Sequence, residues 1–157
     1  MLSLRNLQVR SSASRSVNLW RGYGSAIFLE FGSLRPHFTR KDRLLSNPSG
    51  DWTLAIEWSW RIDGKRRIWC GSWSEKERQS RVFSRLLNAR VESATLMGRM
   101  PEIDLGLSHG LHVVSFMTAE GNPEWGLIRR DSDGTVTSVG AAGRLQLVDE
   151  TRVQIDT

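Results

Sequence analysis

From residue 52 to residue 62 the chain alternates, with Trp52, Leu54, Ile56, Trp58, Trp60 and Ile62 separated by Thr53, Ala55, Glu57, Ser59 and Arg61. A period of two sustained over that length and rich in aromatics predicts one strand with a single buried face. Asp63-Gly64 then predicts a tight hairpin, because glycine readily takes the φ > 0 such turns require, with residues 65–73 returning as the partner strand. The period changes over residues 74–88, where Val82, Phe83, Leu86 and Leu87 recur at helical spacing and Ser74 with Glu77 forms a capping-box pattern. This is the principal helix. A second, short one is compatible with Leu2, Leu4, Leu7 and Val9 near the N-terminus.

Short apolar stretches separated by turn formers follow at residues 91–97, 103–107, 111–117, 125–130, 136–139 and 145–148, and such spacing predicts antiparallel sheets. Between residues 33 and 51, Pro36, Asn47, Pro48 and Gly50 accompany Arg35, Arg40, Lys41 and Arg43, which predicts a long surface loop. A weak internal repeat orders these pieces. Residues 26–31 match residues 111–116, and Trp52-Thr53-Leu54 with Asp63-Gly64 matches Trp125-Gly126-Leu127 with Asp133-Gly134. The expected fold is therefore α+β, mainly antiparallel: a single domain of two similar halves, residues 1–73 and 74–157, sharing one core.

The run Gly22-Tyr23-Gly24-Ser25-Ala26-Ile27-Phe28-Leu29-Glu30-Phe31-Gly32, followed by Gly50-Asp51-Trp52-Thr53-Leu54 and Trp60-Arg61-Ile62, resembles a family of small bacterial proteins. Its members pair a "GS.L.LEFG" strand with a "G.W.L....WR" strand, and some look like compact immunity proteins that neutralise toxins. The resemblance rests on structural glycines and aromatics. It implies the fold and a bacterial origin, and it brings no activity, cofactor or site residue with it.

Composition narrows the class. A chain that is 39% hydrophobic and 25% charged has the balance of a folded protein and not of a disordered one. No apolar run is long enough for a membrane-spanning helix. Cys70, the one cysteine, has no partner for an internal disulfide and fits a reducing compartment, so a cytoplasmic location is expected. Against that stands the N-terminal segment, where Arg5, Arg10, Arg15 and Arg21 occur with no acid before Glu30, the composition of an organelle transit peptide. The formal charge of +5 favours solubility and an acidic partner alike.

Most chemical motifs dissolve on inspection. Gly22-Tyr23-Gly24-Ser25 lacks the Gly-Lys-Ser/Thr ending of a phosphate-binding loop and reads as a hairpin turn. His109 and His112 are three apart among glycines, a turn and a strand and not a metal-binding helix face. Asp131-Ser132-Asp133-Gly134 opens like a calcium loop, but Ala142 stands where the bidentate Glu belongs. No metal or cofactor is expected. Glu30 and Glu57 sit in apolar strands and would serve a hydrolase as acid and base if one cleft held both; a solvent-facing Glu57 and a strand-end Glu30 is the plainer reading.

What persists is tryptophan interleaved with basic residues: Arg61, Lys65, Arg66, Arg67, Trp69 and Trp73 belong to one hairpin, and Arg40 and Lys41 to the Arg-rich loop. Cations steer an acidic partner in, and exposed Trp69 or Trp73 anchors it at small entropic cost. The expectation is a non-catalytic binding module with a protein partner. Single-stranded nucleic acid or another anionic ligand at the same hairpin is the alternative, and a homodimer stays open.

Overall fold

A computed structural model describes residues 17–38, 45–120, 125–131, 135–141 and 145–152. In chain order the elements are β1 (Asn18–Arg21), β2 (Ile27–Phe31), β3 (Arg35–Phe38), β4 (Leu45–Ser49), β5 (Trp52–Ile56), β6 (Trp60–Asp63), β7 (Ile68–Gly71), α1 (Lys76–Leu86), β8 (Val91–Met97), β9 (Glu102–Leu107), β10 (Leu111–Ser115), β11 (Trp125–Arg130), β12 (Thr135–Ala141) and β13 (Leu145–Arg152). The strands form a six-stranded sheet in the order β1-β2-β5-β11-β12-β13, a five-stranded sheet in the order β7-β6-β10-β9-β8, and a separate β3-β4 pair. All these ladders are antiparallel. The fold is α+β, with one α-helix among the described residues.

Register explains why the alternation in the sequence builds a core. Leu19 pairs with Leu29, Leu29 with Leu54 and Leu54 with Leu127, so one buried row of leucines crosses four strands of the larger sheet. In the smaller sheet Cys70, Ile62, Val113, Leu105 and Ala94 make the equivalent row. Because side chains alternate with a period of two, a slip of one residue would turn either row out to solvent, which is how the apolar pattern selects the pairing. The two rows and the buried face of α1 belong to a single hydrophobic cluster. Both sheets draw on both halves of the chain: the larger takes β1, β2 and β5 with β11, β12 and β13, the smaller β6 and β7 with β8, β9 and β10.

The long strand expected over residues 52–62 is two strands. After β5 the chain leaves the larger sheet at Glu57-Trp58-Ser59 and enters the smaller one as β6. Alternation survives the crossing because both strands bury the same parity, yet Trp58, at the break, is 50% exposed and not in the core. Ser25 from the β1–β2 turn holds the crossover, donating its hydroxyl to the Trp58 carbonyl at 2.8 Å and accepting the Trp60 indole N–H at 2.7 Å.

The hairpin after β6 is also wider than expected. Asp63 pairs with Ile68, leaving Gly64 to Arg67 as the loop, and the Gly64 N–H donates to the Arg67 carbonyl at 2.9 Å. Gly64 is not at positive φ. Glycine is required there because a Cβ would overlap the Trp69 indole nitrogen.

α1 begins at Lys76, two residues after the expected start, with Glu75 as N-cap and no side-chain cap. The capping box does not form because the Ser74 hydroxyl is engaged elsewhere, accepting from the Gly71 N–H at 3.0 Å. Gln79, Val82, Phe83 and Leu86 bury the inner face. The helix lies against β1 and β7, one edge strand of each sheet, and so covers edges that would otherwise offer unpaired backbone groups. Arg21 fastens it to β1 through the Lys76 carbonyl at 3.0 Å, Gln79 Oε1 at 3.3 Å and Ser80 Oγ at 3.2 Å.

The stretch read as one long surface loop contains the β3–β4 pair, whose strands meet with a register shift. The region of the expected N-terminal helix, together with Arg40, Lys41 and the Ser132-Asp133-Gly134 turn, lies outside the described residues. Among those residues no helix is long and apolar enough to cross a membrane.

Candidate functional site

The hairpin and the helix make a basic cleft between them. Arg78, Arg81, Val82 and Arg85 stand at i, i+3, i+4 and i+7 of α1 and therefore share one face. β7 runs beside that face and contributes Trp69, while Arg67 comes from the end of the hairpin loop. These six side chains line a cleft of about 220 Å³. Val82 is buried, Trp69 is half-buried against the core, and the four arginines are exposed.

Trp69 organises the cations. The Arg67 guanidinium lies over its ring at 6.0 Å from the centroid and that of Arg85 at 5.5 Å, both within reach of a cation–π attraction. Arg78 Nε donates to the Trp69 carbonyl at 2.7 Å. A cation–π contact spends none of a guanidinium's N–H donors, and a bond through Nε leaves both terminal nitrogens free. Among the described residues no acidic side chain lines the cleft, and none of these four arginines is in an ion pair. Cys70, the residue after Trp69, is buried, and burial pushes its thiol up to about 11 against the opposing pull of the Arg78 charge. It stays protonated at neutral pH and is no nucleophile there.

The expected hairpin surface divides. Arg67 and Trp69 are in the cleft. Arg61 is turned to other use, donating from Nε to both Asp63 carboxylate oxygens at 3.0 and 2.8 Å with its guanidinium 5.7 Å from the Phe116 ring centroid. Lys65 and Arg66 are exposed in the hairpin loop, the Lys65 stem passing beside Gly110. Trp73 follows β7, is 76% exposed and lines no part of the cleft.

The two carboxylates weighed as an acid–base pair are not brought together. Glu30 is buried opposite Thr53, accepting from the Thr53 hydroxyl at 2.7 Å and the Gly50 N–H at 2.9 Å, with Arg130 Nη1 at 3.9 Å. Glu57 is exposed beyond the other end of the same ladder, four residues along the chain from Thr53, roughly 13 Å at the rise of a strand. His109 occupies a turn at φ 66°, and His112 lies in β10 with Nδ1 2.7 Å from Asp104 Oδ1. Among the described residues no three His, Cys, Asp or Glu side chains are grouped to hold a metal ion.

Arg78, Arg81 and Arg85 were absent from the surface expected from sequence. Their spacing was visible in it: three arginines at i, i+3 and i+7 mark a helical stripe as plainly as Val82, Phe83 and Leu86 mark the buried one. What the stripe faces is decided by how the hairpin packs. The chain matches no family model, no curated protein and no solved structure.

Proposed function

We propose that the protein is a non-catalytic binding module that receives an acidic partner in the cleft between β7 and α1. The observation that carries this reading is the convergence of Arg67, Arg78, Arg81 and Arg85 on the cleft that Trp69 lines, with no acid among the described residues of the lining. Like charges gathered in one cleft repel each other and project their field outward, so an arriving anion is steered in and relieves the repulsion. Lys65 and Arg66 extend the basic surface along the hairpin loop, and the exposed indole of Trp73 adds apolar area just past β7.

In the form closest to the bacterial resemblance, the partner is one protein, bound in an immunity-like manner in the cytoplasm. The lone buried thiol supports that compartment, and the single hydrophobic cluster supports one core shared along the chain. Single-stranded nucleic acid is supported less well, because it calls for open aromatic faces on which bases stack, whereas two guanidiniums lie over the Trp69 ring.

The test is fluorescence anisotropy with two labelled polyanions, a poly-glutamate peptide and a single-stranded oligonucleotide, at low and moderate salt. The reading expects at least one to bind, to weaken as salt rises, and to lose roughly tenfold or more in affinity in an Arg67→Ala/Arg85→Ala variant. If neither binds, or if the variant binds as well as the natural chain, the cleft is not the contact surface.

A further inference from the structure

From the geometry of the same cleft we infer that the group it recognises is a dianionic phosphate monoester, and that Trp69 is the positioning residue that makes the arginines competent to hold it. This rests on the binding-module reading and narrows it from anions in general to one chemical class.

Charge and donor count point to that class. Four guanidiniums, with no acid among the described residues of the lining, exceed what one carboxylate can offset, since it brings a single charge on two oxygens. A terminal phosphate monoester brings nearly two charges at neutral pH and three acceptor oxygens that point in different directions. The donors arrive from two sides: Arg67 from the hairpin loop, and Arg78, Arg81 and Arg85 from successive turns of one helix face. A phosphodiester fits less well, because each linkage carries one charge and a strand of them needs stacking partners for its bases, which the occupied Trp69 ring does not offer.

Pre-organisation is the second support. A free arginine side chain carries a large rotamer entropy, and a site that must immobilise several on binding loses most of its gain. Here Trp69 holds three of the four before any ligand arrives: Arg67 and Arg85 over its ring, and Arg78 through its carbonyl. The indole is itself held in place by packing on the core and by the absence of a side chain at Gly64. The arrangement is an aromatic support with three guanidiniums held beside it, suited to a compact oxyanion.

The experiment is calorimetric titration of the full chain with O-phosphoserine, a sugar monophosphate and inorganic phosphate, with glutamate and sulfate as comparators. The expected result is that at least one monoester binds roughly tenfold or more tightly than glutamate. Its affinity should fall between pH 7.5 and pH 5, as the ester takes up its second proton with a pKa of about 6 while the arginines stay charged. Sulfate, which keeps its charge over that range, should show no such fall. A preference between phosphoserine and sugar phosphate tells a protein source from a metabolite.

Arg78→Ala should weaken monoester binding roughly tenfold with little change in unfolding midpoint. Trp69→Leu should weaken it comparably and Trp69→Phe restore most of it, since a phenyl ring still supports the guanidiniums; a role in packing alone would leave binding by the folded Leu variant unchanged. Should glutamate and poly-glutamate bind through the same arginines as tightly as any monoester, the phosphate inference is overturned and the binding-module reading stands. Should no anion bind at all, both fall.

Discussion

The indole N–H of Trp60 donates to the carbonyl oxygen of Ser25 at 2.7 Å, across the point where the chain passes from the larger sheet to the smaller. The same indole is buried against Phe83 of α1, with ring centroids 5.9 Å apart. One side chain thus joins the β1–β2 turn, the crossover and the helix that completes the cleft.

Trp60→Ala is therefore expected to destabilise the protein by about 3–5 kcal/mol, and Trp60→Phe, which keeps a ring but loses the donor, by about 1–2 kcal/mol. Trp58→Ala, two residues away and half-exposed, should stay within about 0.5 kcal/mol. Urea unfolding of the three variants decides it. Equal losses at Trp58 and Trp60 would contradict the crossover.

Glu30 is 4% exposed and accepts hydrogen bonds from the Gly50 N–H and the Thr53 hydroxyl, while Arg130 Nη1 also donates to Thr53 Oγ1 at 2.7 Å. Removing the carboxylate leaves the Gly50 N–H and the Thr53 hydroxyl hydrogen without their acceptor. Glu30→Ala should cost about 3 kcal/mol or more, and Glu30→Gln, which keeps an acceptor, about 1–2 kcal/mol. A Glu30→Ala protein as stable as the natural chain in the same urea titration would show that the network holds nothing.

Cys70 titrates at about 11 in the folded protein against 9.0 for an unperturbed thiol, with burial the larger cause and the Arg78 charge opposing it. The unfolded chain therefore loses its proton first as pH rises. The stability that this group contributes is fully present below pH 9.0 and is lost as pH climbs through about 11, a fall on the order of 2 kcal/mol. The difference in unfolding free energy between the natural chain and Cys70→Ala should be constant up to pH 9.0 and shrink above it. Thiol-reactive dye at pH 8 should label the folded protein far more slowly than the urea-unfolded one; rapid labelling of the folded state would contradict the burial of Cys70.

Gly64 links the fold to the cleft, because a Cβ there would overlap the Trp69 indole nitrogen. Gly64→Ala should cost about 1–3 kcal/mol by displacing the ring. It should also weaken any anion held by Arg67 and Arg85, whose guanidiniums rest on that ring. A Gly64→Ala protein with unchanged anion affinity would mean that the position of Trp69 is immaterial to the site.

Much of the secondary structure was legible because each signal was local. The stretches at residues 91–97, 103–107 and 125–130 became β8, β9 and β11 within a residue at either end, since apolar runs bounded by turn formers leave few alternatives. The Gly22-Tyr23-Gly24-Ser25 turn formed as read, with Gly24 at φ 63°. Where a group had two uses, local reading chose the wrong one. Ser74 had the right spacing to Glu77 for a capping box and spent its hydroxyl on Gly71 instead.

By itself the sequence determined which residues are apolar and at what period, and hence the helix and most of the strands with their buried faces. It also carried both halves of the candidate site, the basic hairpin and an arginine stripe on α1. Only the tertiary structure decided that the run from Trp52 to Ile62 divides between two sheets, because continuous alternation reads the same whether a strand continues or its chain changes partners. Only it decided that Arg61 turns to Asp63 while Arg67 turns to Trp69, and that Arg78, Arg81 and Arg85 stand opposite them. Charges meet across a cleft through the packing of the helix on the hairpin before it, and the period within either element does not encode that.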